Sequence, residues 1–370
     1  MIERTKNHIR TANFFTALLF IAFGTTSCKT RTPSAPLRSA DEAQEISCAF
    51  GDFESAPGSA PGEERLNGDQ WRIIASNALA SKLAYANSDE VKQTMRGWGY
   101  PNTDVIDSRS MNAFVSSNEN CVILSFRGTN MLSLRDWIVD FRIRQTDVRE
   151  GAIHTGFYKA WTQMSNEVDR TLQRHRAAGK TLWVTGHSLG GALAATYGWD
   201  NSRNRLFRHP PKIARIVTFG QPLIADRTLA KYMRSEFLGR FYRVVNDLDL
   251  VTTQPHRLTH FGSLVWLREG FVDFRFDAAL AGNGSNGGVG DISAAPIPDE
   301  LAGSEEGYQE LKDALDQIPA GSDFSPGDDA MRVGNRPGAI SLPKKITDHF
   351  MGGYIAKIKT AMFSSSTQSF

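Results

Sequence analysis

Hydrophobic periodicity is almost absent from the first 70 residues, apart from an apolar run at 14–23, and then becomes continuous. Ile73, Ile74, Ala78, Leu79 and Leu83 share one helical face and predict a helix from about Trp71 to Tyr85. Asn112–Ser116 and Cys121–Phe126 read as a strand pair, with Ser117-Asn118-Glu119-Asn120 supplying the turn. Helical and β-branched signals then alternate. A helix is expected from Gly156 to about Ala177, closed by Gly179, and strands at Thr181–Thr185, Ile213–Phe219, Phe241–Val245 and Ser263–Arg268. A helix of small residues runs from Gly190 through Tyr197. This βαβα order predicts an α/β fold with a mainly parallel central sheet and helices on both faces.

The chain's ends and one interior stretch break the pattern. Residues 1–28 read as an export signal: Arg4, Lys6 and Arg10 precede the apolar run, which falls short of the ~20 residues of a membrane-spanning helix. Ser27-Cys28 resembles a bacterial lipoprotein cleavage site, with lipid on Cys28, although Thr25 departs from the Leu usual three residues before such a Cys. Ordinary cleavage near Ala22-Phe23-Gly24 is the other reading. Residues 29–68 are rich in Ser, Pro, Ala, Gly and Glu and are expected to be a flexible tether. Residues 69–360 then form the domain, with an insertion of Gly, Ser, Asp and Pro at about 279–337 that carries a short helical patch at Tyr308–Leu315.

Composition changes this picture little. With 41% hydrophobic and 22% charged residues, the 370-residue chain can bury a large core. Its net charge of +2 is matched by Glu3, Arg4, Lys6 and Arg10 alone, and the remaining Arg and Lys are scattered, so a nucleic-acid partner is not expected. Of three cysteines, Cys28 belongs to the signal. Cys121 opens an apolar strand and reads as a buried free thiol, while a bridge to Cys48 is the alternative that an oxidising compartment permits.

The sharpest chemical signal is Gly186-His187-Ser188-Leu189-Gly190 between a predicted strand and a predicted helix. A Gly-x-Ser-x-Gly stretch in that context is the nucleophile elbow of the α/β-hydrolase fold, and it exposes the Ser188 hydroxyl on a strained turn. A serine needs a base, and the base a carboxylate; in this fold they follow in the order Ser, acid, His. The acid belongs after the Phe241–Val245 strand, where both Asp247 and Asp249 qualify by spacing. The base belongs after the next strand, which leaves His349; His256 and His260 come too early and read as loop or packing residues. His187 points away from Ser188 by alternation and reads as packing, while His154 stays available as a supporting group. The oxyanion donors expected are the Leu189 backbone N–H and Thr129, which follows Phe126-Arg127-Gly128 at a strand end.

Several of these stretches together resemble the fungal-type triacylglycerol lipases, the class 3 lipase family. They are Phe126-Arg127-Gly128-Thr129, Asp136-Trp137-Ile138-Val139-Asp140, His154-Thr155-Gly156-Phe157, Gly186–Gly191, Thr218-Phe219-Gly220-Gln221-Pro222, Val245–Val251, His260-Phe261-Gly262 and Asp348-His349-Phe350, in the family's order from about Trp71 to Tyr354. The resemblance implies Asp249 as the acid, His349 as the base and Thr129 at the oxyanion position. The chain departs from the family's pattern at Thr252, where Pro is usual, at Leu223, where Arg is common, and in the long interval between Asp249 and His349. The family's short lid helix corresponds to Leu134, Trp137, Ile138 and Phe141 at helical spacing, a pattern that a core-facing helix would also give.

The resulting expectation is a secreted serine carboxylic-ester hydrolase, a lipase acting on acylglycerols or other apolar esters through an acyl-enzyme on Ser188. Contact with a membrane or lipid interface is expected, and no metal or organic cofactor. Phospholipase A1 activity is the alternative from the same machinery, and an exported lipid-binding protein with a non-catalytic site is the alternative from another class.

Overall fold

Eight strands make one sheet in the computed structural model, which describes residues 40–51, 66–108, 111–129, 144–203, 211–277, 309, 312, 313 and 347–364. The strands are β1 (Asn102–Asp107), β2 (Asn112–Ser117), β3 (Cys121–Phe126), β6 (Thr181–His187), β7 (Ile213–Phe219), β8 (Phe241–Asn246), β9 (Ser263–Arg268) and β10 (Phe271–Arg275), in that spatial order. β3, β6, β7, β8 and β9 are parallel, while β1, β2 and β10 extend the two sides antiparallel. A separate hairpin pairs β4 (Gln145–Val148) with β5 (Gly151–His154). The order fits the expected mainly parallel centre.

Helices cover both faces. On one lie α4 (Thr155–Arg174), α5 (Leu189–Ser202) and α6 (Arg227–Glu236), whose Phe157, Trp161, Leu193 and Met233 share a core with Leu124 and Val184 of the sheet. On the other lie α2 (Gly68–Leu83), α3 (Ser88–Gly97) and α7 (Met351–Ser364), with Ile74, Met95 and Ile358 against Ile123, Trp183 and Val217. Alternation along β6 sends Leu182 and Val184 to the first core and Trp183 to the second. Full burial of such side chains contributes about 1.5–3 kcal/mol each. α2 begins at a capping box, with Asn67 accepting from the Gln70 amide and Gln70 from the Asn67 amide.

The sheet also collects the chain's functional loops at one edge. Phe126 is in register with Gly186, His187 with Phe219, and Phe219 with Val244. The carboxyl ends of β3, β6, β7 and β8 therefore finish side by side, where ligands bind in open α/β sheets.

Part of the expected tether is structured. α1 (Ala40–Ile46) forms, and its Glu45 makes a two-pronged pair with Arg215 on β7 at 2.7 Å. Phe50 stacks on Trp98 at 4.8 Å, and the Tyr100 hydroxyl donates to the Cys48 carbonyl at 2.6 Å. Cys48 and Cys121 are joined by a disulfide, with Cα atoms 5.7 Å apart, so the free-thiol reading of Cys121 is corrected. These partners lie far along the chain, and a composition window of 40 residues does not register them. The signal at 1–28, the lid stretch at 134–141 and, but for 309, 312 and 313, the insertion at 279–337 lie outside the described residues.

Candidate active site

Ser188 sits between β6 and α5 with φ 59° and ψ −129°, a backbone that L-residues rarely adopt. The turn requires glycine on both sides. A Cβ on Gly186 would overlap the Gly190 backbone, and one on Gly190 would overlap the Phe126 carbonyl. The Ser188 amide donates to the Phe219 carbonyl at 2.9 Å, which moors the elbow to β7.

Beyond β8 the chain turns through Asp247, at φ 47°, and enters a short 3₁₀ helix, Leu250–Thr253, capped by Asp249. Asp249 Oδ1 accepts the Val251 amide at 3.0 Å, and the Thr252 hydroxyl donates to the Asp249 carbonyl at 2.7 Å. Thr252, a departure from the family pattern, thus binds down the loop that carries the acid. His260 Nε2 donates to the Thr252 carbonyl at 2.6 Å, so this early histidine supports the same loop. Burial pushes its pKa well down, with Arg243 and Arg234 nearby acting in the same direction.

His349 lies just ahead of α7. Its Nδ1 is 2.8 Å from Asp249 Oδ2 and 2.9 Å from Oδ1, and its Nε2 is 2.9 Å from Ser188 Oγ. All three side chains are buried. The loop is fixed from behind by Asn246, whose amide nitrogen donates to the Asp348 carbonyl at 2.7 Å. Asp247, the competing acid, is 3.3 Å from Lys357, and its carbonyl accepts the Trp266 indole N–H at 2.7 Å. Ser188, His349 and Asp249 are therefore brought together, and Asp247 is not.

Leu189 is the first residue of α5, where an amide has no carbonyl inside the helix to bond. Gly128 lies against the elbow, since a Cβ there would come within 2.8 Å of the His187 carbonyl and 3.2 Å of Ser188 Cβ. Thr129, half-buried, follows it directly. His154 ends β5, buried beside Phe157 at 5.0 Å, and burial lowers its pKa to about 4.

Two contributors escape the sequence pattern. Tyr354 on α7 donates its hydroxyl hydrogen to Asp249 Oδ2 at 2.6 Å; nothing in its spacing separates it from an ordinary core aromatic. Gly220, at φ 57°, leaves room for Asp249 and His349 together. A Cβ there would stand 2.9 Å from Asp249 Oδ2 and 3.0 Å from the His349 ring. Its signal is present in Phe219-Gly220-Gln221-Pro222, although the sequence does not say what the glycine accommodates.

The strand order, the strained elbow and the hydrogen-bonded Ser188–His349–Asp249 line define an α/β-hydrolase fold. The chain matches the family model described as Lipase (class 3) over residues 123–259. It is 34% identical over 163 residues to a lipase of Rhizopus niveus, covering 42% of this chain and 41% of that protein. It is 27% identical over 233 residues to triacylglycerol lipase OBL1 of Arabidopsis thaliana, covering 48% and 45% respectively. Among solved structures it is similar to lipase II from Rhizopus niveus, at 27% identity and a TM-score of 0.45, over 55% of this chain and 83% of that one. The chain spans less than half the length of these two curated relatives.

Proposed function

We propose that the protein is an exported carboxylic-ester hydrolase that cleaves acylglycerol esters through an acyl-enzyme on Ser188. The observation that carries this reading is the 2.9 Å approach of His349 Nε2 to Ser188 Oγ with Asp249 on the opposite ring nitrogen. Asp249 accepts from Nδ1, so the Nε2 lone pair faces the serine. Ser188 Oγ attacks the ester carbonyl carbon and its proton passes to His349 Nε2. The carbonyl oxygen becomes an oxyanion, which the Leu189 amide and Thr129 stabilise; one such donor is worth about 3–4 kcal/mol. The intermediate collapses, the alkoxide leaves with the proton from His349, and Ser188 is acylated. Water, deprotonated by His349, then attacks the acyl carbon and releases the acid and free Ser188.

An apolar acyl partner is supported by the match to the Lipase (class 3) model and by the names of the relatives, which include a triacylglycerol lipase. Export is supported by the charge and apolar pattern of 1–28 and by the Cys48–Cys121 bridge, a feature of oxidising compartments. Within that reading Cys28 is the acylation position, and the mass and N-terminus of the mature protein test it.

The decisive experiment is hydrolysis of chromogenic esters of two to sixteen acyl carbons, and of emulsified triacylglycerol, by the full chain beside Ser188→Ala. Turnover on the longer chains that disappears in the variant is expected. Turnover that survives Ser188→Ala would reject the mechanism, and activity confined to the shortest esters would reject the lipid substrate.

A further inference from the structure

His187 lies inside the elbow with its side chain turned from Ser188, fully buried, and both of its ring nitrogens are engaged. Nε2 is 2.7 Å from the His349 carbonyl oxygen, and Nδ1 is 2.9 Å from the Tyr85 hydroxyl. A carbonyl only accepts, so Nε2 must carry the hydrogen. Burial first, and then the neighbouring His349 ring, drive the His187 pKa well down, so the imidazole is neutral and Nδ1 is a bare acceptor. The Tyr85 hydroxyl must therefore donate. Its oxygen lies against Gly128, so close that a Cβ on Gly128 would overlap it. Burial pushes the Tyr85 pKa up, against the pull of Arg127, and keeps the phenol protonated. Every polar contact in this line has one possible direction.

We infer that Tyr85 and His187 are positioning residues: a hydrogen-bonded strut that holds the Gly128–Thr129 loop, the Ser188 elbow and the His349 backbone in one register. The inference rests on the hydrolase reading of the site. The three parts come from chain segments with no covalent reason to stay aligned. Catalytic groups need placement to within roughly 0.5 Å, supplied by supporting residues that are themselves locked. His187 is one residue from the nucleophile, so a single ring ties the nucleophile to the base loop on one side and, through Tyr85, to the oxyanion loop on the other. The neutral state matters as well. The His187 and His349 rings lie 4.7 Å apart, and a charged His187 would oppose the imidazolium that forms on His349 during acyl transfer.

The test compares the full chain with Tyr85→Phe, His187→Gln and His187→Ala. Three quantities are read: kcat and KM on a chromogenic butyrate ester, the rate of Ser188 labelling by a fluorophosphonate, and the ¹⁵N–¹H spectrum of the histidine rings. Tyr85→Phe removes one oxygen and is expected to lower kcat and the labelling rate about tenfold, the effect of one lost hydrogen bond, with KM and Tm nearly unchanged. Gln keeps a donor toward the His349 carbonyl, so His187→Gln should retain most of the rate that His187→Ala loses. Beside the neutral Nε2–H ring of His260, the parent spectrum should hold another that vanishes in His187→Gln and whose Nδ1 resonance shifts in Tyr85→Phe. Parent-like kcat and labelling in Tyr85→Phe, or a His187 ring protonated on Nδ1, would overturn the inference. A parent that neither turns over ester nor takes the label would instead reject the hydrolase reading, while the ring spectrum still judges the strut. If His187→Ala does not fold, Tyr85→Phe and His187→Gln decide the matter.

Discussion

The Tyr354 hydroxyl donates to Asp249 Oδ2 at 2.6 Å from one full turn into α7, the helix that follows His349. Asp249 is thereby held at both oxygens: Oδ1 takes the Val251 amide, Oδ2 takes the phenol, and His349 Nδ1 faces the pair. The acid is buried, so each donor replaces a water it has lost. The helix that follows His349 thus also clamps Asp249.

Removing that clamp should cost catalysis more than stability. The Tyr354 ring packs edge-on against Phe219 and His187, contacts that phenylalanine keeps. A hydrogen bond to a charged partner is worth about 1.5–3 kcal/mol, so Tyr354→Phe should lower kcat by roughly ten- to hundredfold. Steady-state kinetics with a parallel melting curve checks this; an unchanged kcat would leave Tyr354 a packing residue.

The two acids that spacing alone could not separate should behave very differently. Asp249→Asn leaves the shape but presents the wrong hydrogen-bonding face to His349, and kcat should fall about 10⁴-fold. Asp247→Asn weakens a partly exposed pair with Lys357, worth at most about 1 kcal/mol, and should keep kcat within about twofold. Equal losses in the two variants would contradict the assignment of Asp249.

The Cys48–Cys121 bridge spans 73 residues of sequence and ties the α1 segment to β3. Closing a loop of that size in the unfolded chain contributes about 4 kcal/mol in the chain-entropy treatment. Replacing both cysteines by Ala should lower Tm by several degrees and leave kcat near the parent's at about 25 °C, because neither cysteine touches the Ser188, His349 or Asp249 side chains. Thermal unfolding of oxidised, reduced and double-variant protein measures it.

Asp169 on α4 gives the fold a pH dependence of its own. Burial, and then the charge of Asp200, raise its pKa to about 7, and its Oδ2 has no hydrogen-bond partner among the described residues. The ordinary carboxyl value in the unfolded chain is about 4. Between those values the folded protein holds a proton that the unfolded chain releases, so stability falls as pH rises from about 4 to 7. Asp169→Asn should therefore gain Tm over the parent at about pH 8 and show no such gain at about pH 4.5. Melting curves at the two pH values decide it.

Features whose cause is local are legible in the sequence. Gly186 to Gly190 names the elbow because a left-handed serine between close-packed glycines leaves few alternatives, and the β-branched runs name β2, β3, β6, β7, β8 and β9. The outer elements were less legible. β1 reads Asn-Thr-Asp-Val-Ile-Asp with a single buried residue and β10 is partly exposed, so neither carries a clean apolar period, while α7 opens on Met-Gly-Gly although Met351, Tyr354, Ile358 and Met362 share its buried face. The folded chain shows what no local pattern states: Cys48 reaches Cys121, Asp249 rather than Asp247 faces His349 as the family resemblance implies, and Tyr85, His187 and Tyr354 hydrogen-bond at the site. In each case the partner stands many residues away. Periodicity reports which face of an element is buried, whereas only the folded backbone states which distant polar group waits there.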